Sequence, residues 1–520
     1  MVTLLEDPLA AANASIREQL RRGERPPRVV IIGAGAAGLC MAIRCRDAGL
    51  RDIVILEASD GVGGTWKFNS YPGAACDVPS MLYSFSFAPK HDWTRKFAFQ
   101  PEILKYFESV VDRFDLRRDI RFNARVVSAI FDEGRAVWVV TLEDGSTIEG
   151  EILVSGLGQL DRPYIPDFEG LDSFEGPAFH SARWRHDVDL RGKRIGVVGS
   201  GASAIQFVPE IVPDAESVTI FQRTASYVMP KPDRPFTERE RRLFRRFPSA
   251  ARAARWWTYL RLETNFFLLM RKKSPIGKLL QKKVTSELRP LATERMPADA
   301  LVPDYLPGCK RLLISNDYYA AILKPNVHAV TSAITGVRPH GIETADGQFH
   351  ELDVVIFGTG FRATEFLSPL DVRGLGGRRL TEEWRQGAQA HLGMMVHGFP
   401  NLFILYGPST NLGHNSIIFM IEAQTRWIVQ VIALSMRKRF KWVEVRRDAQ
   451  SKFLGGIDRL VAGTVWSTHC ESWYKTAAGR VTNNWPASTL SYWKRTRRLD
   501  DSEIQGTSLR SPLRDAPTQV

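Results

Sequence analysis

Two glycine-rich turns carry the first legible chemistry in this chain. Val29 to Ile32 is a short apolar run leading into Gly33, Gly35 and Gly38, and a second apolar run, Ile53 to Leu56, ends at Glu57. Such a turn between strand and helix lets a pyrophosphate approach the backbone and meet the positive helix N-terminus. Glu57 lies 24 residues after Gly33, where a carboxylate can accept hydrogen bonds from both hydroxyls of a ribose. The second turn, with Gly199, Gly201, Ser203 and Ala204, follows the run Ile195 to Val198. Counting 24 residues from Gly199 reaches Arg223, flanked by Gln222 and Thr224. A guanidinium pairs with a 2′-phosphate that a carboxylate would repel. The first turn therefore suits FAD and the second NADPH, which together make a hydride path from nicotinamide to flavin.

The next acceptor of the electrons is constrained by cysteine placement. Cys40 and Cys45 have the spacing of a redox pair but fall within the helix after the first turn, where core thiols are expected. The stretch after the first nucleotide unit reads Gly63-Gly64-Thr65-Trp66 and holds no cysteine. A disulfide-reductase route is disfavoured, and oxygen is left as a plausible acceptor. The five cysteines (Cys40, Cys45, Cys76, Cys309, Cys470) suggest no disulfide framework and fit a reducing cytoplasm. No histidine joins Cys or Asp at a metal-ligand spacing, so no structural metal is expected.

The elements that must position these groups follow from length and patterning. At 520 residues the chain suggests two or three domains. No apolar run approaches the roughly 20 residues that span a bilayer, Phe266 to Met270 being far too short. The start, rich in acids, lacks a secretory leader pattern, and a cytoplasmic protein is expected. Asp144-Gly145 between 137–142 and 147–154 is a strong hairpin signal. The net charge of +13 is concentrated: between Arg239 and Arg289 stand fifteen Lys/Arg against three Glu. The rest is nearly neutral, which argues against a nucleic-acid-binding surface. That basic segment also holds Trp256, Trp257, Tyr259, Phe266 and Phe267, the composition of an interfacial helix. A solvated helical lobe is the favoured reading, and membrane-surface contact through 239–289 the lesser one.

Further motifs carry a family resemblance. Phe174, Gly176, His180 and Trp184 fit F-x-G-x-x-x-H-x-x-x-W, followed by Arg185 where Pro or Asp is usual; Gly63, Gly64, Trp66, Tyr71, Pro72, Gly73 and Asp77 fit a longer signature. With Phe221–Thr224, Cys309–Leu312, Gly358–Phe361 and Phe399–Phe403, the chain resembles the type I Baeyer–Villiger monooxygenases from about residue 28 to 495. The resemblance implies FAD contacts at Glu57, Thr65, Trp66, Asp77, Tyr83, Val126 and Gln159. It implies NADPH contacts at Arg223, Thr224, Lys310 and Trp473. It also implies insertion of one oxygen atom of O2 beside a ketone carbonyl, giving an ester or lactone through a C4a-peroxide on the flavin. Arg311 matches the family's catalytic arginine, a cation that cannot quench the peroxide by proton transfer. Asp77 would orient it, and His180 and Trp184 would shape an interdomain linker. Two alternatives stay open: N- or S-oxygenation on the same scaffold, and a membrane-surface protein whose flavin is structural.

The expected fold is α/β, with two Rossmann-like dinucleotide-binding domains, the NADPH domain inserted into the FAD domain, and a helical lobe. Residues 1–25 read as a polar arm, 26–185 as the first part of the FAD domain, and 186–350 as the NADPH domain with its lobe at 236–290. The strand near 352–357 is expected to return the chain to the FAD domain, whose second part and C-terminal region run over 351–498. Residues 499–520 read as a disordered tail.

Overall fold

The structure is a computed structural model that describes residues 7–508 apart from 469, 471 and 477, with the backbone alone for 265–268. Val29–Ile32, Ile53–Leu56 and Ile152–Ser155 are four-residue strands buried along their whole length. They pair parallel with one another and with Leu402–Ile404 and Ile120–Arg121 to make one five-stranded sheet. A second parallel sheet orders Val327–Val330, Ser217–Phe221, Arg194–Val198, Val354–Phe357 and Ala178–His180. Strands covered on both faces read as continuous apolar runs, which is why both units show in the sequence. In each sheet a glycine turn follows the central strand and opens a helix, Ala36–Ala48 in the first and Ala204–Ile211 in the second.

The return to the first sheet comes later than expected. Val354–Phe357 pairs with Arg194–Val198 and Ala178–His180, so it closes the second sheet, and Leu402–Ile404 is the strand that rejoins the first. The strand Ala178–His180 likewise puts part of the segment before 186 into the second sheet. The hairpin is present, but its second arm stops at Gly150, and Ile152–Ser155 crosses to the FAD-side sheet. A Cβ at Gly150 would lie 2.6 Å from the Val30 side chain, so the crossing needs glycine.

Both termini are more structured than their polarity suggests. Pro8–Arg21 is a helix that buries Leu9, Ala12 and Ile16 against the helix Ile417–Arg437, with Asp7 capping it through Leu9 N–H. Ile504–Ser508 is a strand paired antiparallel with Phe440–Val445; residues 509–520 of the expected tail lie outside the described residues. Backbone pairing holds that strand, with Gly506 lying beneath the Phe440 ring. Ile417–Arg437 is also long and apolar enough to cross a membrane, which the sequence reading had excluded, but 78% of its apolar window is buried within the protein. A further departure is a disulfide between Cys309 and Cys470, whose Cα atoms stand 6.5 Å apart. A separation of 161 residues hides that pairing from any spacing rule. Cys40, Cys45 and Cys76 are buried thiols, and burial pushes the first two up to about 12.

Candidate active site

Both glycine turns open onto one cleft of about 2610 Å³. A single small-molecule site is typically about 300–1,000 Å³, so this space accommodates two dinucleotides and a substrate. Gly33 and Gly199 sit at φ +98° and +100°, a left-handed conformation that side chains disfavour. Gly38 must also be glycine, because a Cβ there would run into the Gly33 carbonyl oxygen. The middle glycines are different. Among the described residues a Cβ on Gly35 would meet nothing closer than 3.7 Å, and on Gly201 nothing closer than 3.8 Å. Protein packing therefore does not demand them. Their bare backbones sit on the cleft wall at the helix starts, where a pyrophosphate needs close approach.

Glu57 is buried and partly engaged: one carboxylate oxygen accepts from Ala34 N–H at 2.8 Å, the other from Ser59 N–H at 2.9 Å and Ser59 Oγ at 2.7 Å. The oxygen that accepts from Ala34 alone keeps acceptor capacity for a ribose hydroxyl. Trp66 donates through Nε1 to the Tyr83 hydroxyl at 3.0 Å, fixing two rings on the same wall. Gln159 donates to the Tyr406 carbonyl at 3.3 Å, while its buried Oε1 has no partner among the described residues. Such an orphan acceptor fits a donor on a bound flavin ring. At the second turn, exposed Arg223 stands beside Thr224, whose Oγ1 accepts from Lys310 Nζ at 2.5 Å. The residues present thus fit both FAD and NADPH.

Arg311 lines the same cleft as both turns. Its Nη2 and Nε reach Asp77 Oδ2 at 2.5 and 2.8 Å, and its Nη1 donates to the Leu412 carbonyl at 3.3 Å. Burial alone would lower its pKa, but the groups around it, the Asp77 carboxylate foremost, together outweigh burial and raise it above the ordinary guanidinium value. The cation is therefore permanent. Burial also raises the Tyr406 and Tyr474 phenols, which stand near this guanidinium, so both stay protonated at neutral pH.

The model of the flavin-binding monooxygenase-like family matches residues 26–256. A Baeyer–Villiger monooxygenase of Pseudomonas aeruginosa is 40% identical over 483 residues, 92% of each chain. One of Streptomyces coelicolor is 40% identical over 502 residues, 95% of this chain and 94% of that one. The chain belongs to the Baeyer–Villiger monooxygenase family. Among solved structures, a steroid monooxygenase bound to NADP superposes with a TM-score of 0.81 at 32% identity, covering 93% of this chain and all of that one. Cyclohexanone monooxygenase from Rhodococcus sp. Phi1, bound to NADP+, gives 0.83 at 28% over the same shares. This Baeyer–Villiger monooxygenase is an FAD- and NADPH-dependent enzyme with the two-nucleotide fold of its relatives.

Of the residues singled out by sequence, Gly33, Gly35, Glu57, Thr65, Trp66, Asp77, Tyr83, Val126, Gln159, Gly199, Gly201, Ser203, Arg223, Thr224, Lys310, Arg311 and Trp473 all line the cleft of this monooxygenase. Gly38 does not; it packs beneath the turn. His180 accepts from Ala182 N–H and stacks edge-on against Phe361, while Trp184 packs on Phe179 and Phe207, so the contacts of both lie within the second unit rather than in a linker between the two. Sequence reasoning missed Tyr406, Tyr474 and the Leu412 carbonyl. Tyr474 adjoins Trp473, which is the only local signal for it.

It also missed Glu263, a buried carboxylate on the helical lobe. Glu263 accepts from Asn415 Nδ2 at 2.9 Å, Thr489 N–H at 2.6 Å and Thr489 Oγ1 at 2.8 Å, with His414 Nε2 at 3.6 Å. The lobe is thereby tied to the loop that carries Leu412 and Asn415 along the cleft. Burial pushes the Glu263 pKa up, but the His414, Thr489 and Asn415 contacts outweigh it and the net shift is downward. A carboxyl depressed in the folded state contributes stability above the ordinary carboxylate range and loses it as pH falls through the folded value. Glu263→Gln should lower unfolding free energy at neutral pH by about 1.5–3 kcal/mol, the worth of hydrogen bonds to a charge. Denaturant melts should show the gap narrowing in acid, and a gap indifferent to pH would refute the ionised carboxylate.

Proposed function

We propose that this enzyme inserts oxygen beside a ketone carbonyl to form an ester or lactone, with Arg311 as the cation at the reacting centre and Asp77 as its positioning residue. The observation that carries this reading is the Asp77-pinned guanidinium on the wall of the one cleft that both nucleotide turns open onto. Bound FAD, reduced by NADPH, supplies the chemistry that activates dioxygen. The protein supplies the rest. Arg311 presents a fixed positive charge to the oxygen that becomes negative when the carbonyl is attacked, and such preorganised charge acts strongly where water is excluded. Asp77 and the Leu412 carbonyl hold the guanidinium plane, so the charge needs no reorganisation during reaction. Being unable to give up its proton, Arg311 serves as electrostatic support and never as general acid. The roles of Glu57, Trp66, Tyr83, Val126 and Gln159 at FAD, and of Arg223, Thr224, Lys310 and Trp473 at NADPH, are part of the same reading.

The relatives' names point to cyclic ketones such as cyclohexanone and to steroids. The test is a panel of cyclic and open-chain ketones with matched sulfides and amines, with products identified by mass spectrometry. Ketones should yield products heavier by one oxygen, and O2 labelled with the heavy isotope should place one labelled atom in the ester. Sulfoxide or N-oxide formation with no ester from any ketone would overturn the proposal in favour of heteroatom oxygenation.

A further inference from the structure

No described side chain of the basic helical segment lines the cleft, yet its outer surface is unusual. Helices Glu238–Arg246, Pro248–Leu269 and Pro275–Leu288 form the lobe, the first and third each packed against the second. The long helix has two distinct faces. On the inner one, Arg255 donates to the Met81 carbonyl at 2.5 Å, Tyr259 meets Thr489 at 2.8 Å, and Glu263 holds Asn415 and Thr489. The outer one carries Trp256, Trp257 and Leu260 at helical spacing, exposed to 61, 73 and 52%. Leu243, Phe247, Ile276 and Leu279 are likewise exposed, on the flanking helices and the junction before the long one. Side chains at 265–268, including Phe266 and Phe267, lie outside the described residues. Single apolar residues on a surface are ordinary, but seven large ones exposed on three helices packed together and at their junction mark a contact surface.

The charge around the cluster selects its partner. Fifteen Lys/Arg, of which Arg255 turns inward, stand against three Glu over 239–289, and these acids, like Glu238 paired with Arg241 at the start of the first helix, are already engaged. Glu240 pairs with Arg234 and caps its own helix, Glu263 faces inward, and Glu287 lies 3.8 Å from Lys283. The outer face is therefore strongly cationic, and a second copy bringing the same charge would be repelled. A polynucleotide would meet the cations but offers nothing to Leu243, Leu260, Ile276 and Leu279. The headgroup boundary of an anionic bilayer satisfies all three features: phosphates for Arg and Lys, the interface for the indoles, and acyl chains for the aliphatic groups.

We propose that the outer face of this helical lobe docks peripherally on an anionic membrane surface. The inference does not depend on the reaction assigned above. The FAD-loaded enzyme would be sedimented with vesicles of phosphatidylcholine alone and with vesicles containing about a third phosphatidylserine, an anionic surface that attracts basic segments. Binding should be at least about tenfold tighter to the anionic vesicles at low salt and should collapse in 1 M salt, where the Debye length shrinks to about 3 Å. Trp256→Ser with Trp257→Ser should weaken it by about tenfold or more, as should Arg242→Glu with Arg245→Glu, since apolar insertion and charge act together. Both double variants should keep the FAD absorbance and the NADPH oxidation rate of the parent, because none of these side chains lines the cleft. Equal binding to neutral and anionic vesicles, or undiminished binding by the tryptophan variant, would overturn the proposal. So would preferential binding of duplex DNA or of an acidic protein over the anionic vesicles at equal ionic strength.

Discussion

Replacing Arg311 by Ala is expected to separate reduction of the enzyme from oxygenation of its substrate. The variant keeps both glycine turns, Glu57 and Arg223, so FAD should remain bound and NADPH should still bleach its absorbance without air. What it loses is the fixed charge that Asp77 holds on the cleft wall. Removal of one preorganised electrostatic donor costs about 2.7–4 kcal/mol in the transition state, on the order of a hundred- to a thousandfold in rate. Ester should therefore fall by at least that factor, while NADPH and oxygen are still consumed and hydrogen peroxide accumulates in step with NADPH. Peroxide release and ester yield, measured on the same samples, check this. Arg311→Lys is the companion variant: it keeps a charge but cannot reproduce the two contacts to Asp77 Oδ2, and should recover only part of the lost rate. Wild-type ester formation by the alanine variant would remove Arg311 from the reacting centre. Thermal melts guard against a simpler cause, because the alanine change leaves Asp77 without its partner.

Arg223→Ala should change the choice of coenzyme and little else. Its side chain is exposed on the cleft rim beside Thr224, and Thr224 in turn meets Lys310, so a 2′-phosphate there would find a cation on either side. Loss of one charge-assisted contact is worth about 1.5–3 kcal/mol, or on the order of ten- to a hundredfold in affinity. The KM for NADPH should rise by that factor while the KM for NADH, which lacks the phosphate, stays within about twofold of the parent. Steady-state kinetics with both coenzymes decide it, and equal losses for the two would show that Arg223 does not read the phosphate. The lysine beside it should keep some preference for NADPH in the variant.

The sequence by itself determined the two nucleotide units and the difference between them. Their demands are local: Gly33 and Gly199 need a left-handed backbone, Gly38 needs to have no Cβ, and the strands are apolar because both faces are covered. In both units strand, turn, helix and strand span the same 24 residues from the first glycine to Glu57 or Arg223, so their opposite charges could be compared by counting. Family motifs added Trp66, Asp77 and Arg311, whose types and order are visible along the chain. Tertiary structure alone decided who meets whom. Asp77 reaches Arg311 across 234 residues, Glu263 reaches Thr489 across 226, and Cys309 joins Cys470 across 161. Nothing in the neighbouring residues encodes such distances. The same reason explains the misplaced strand: Val354–Phe357 is as apolar as a strand of the first sheet, and only its hydrogen-bonded register with Arg194–Val198 assigns it to the second. The C-terminal strand was hidden because Ile504–Ser508 is held by backbone pairing to Phe440–Val445, an interaction open to polar side chains and invisible to hydropathy. Local backbone sterics are written in residue type, whereas long-range pairing emerges only when the whole chain has buried its apolar surface.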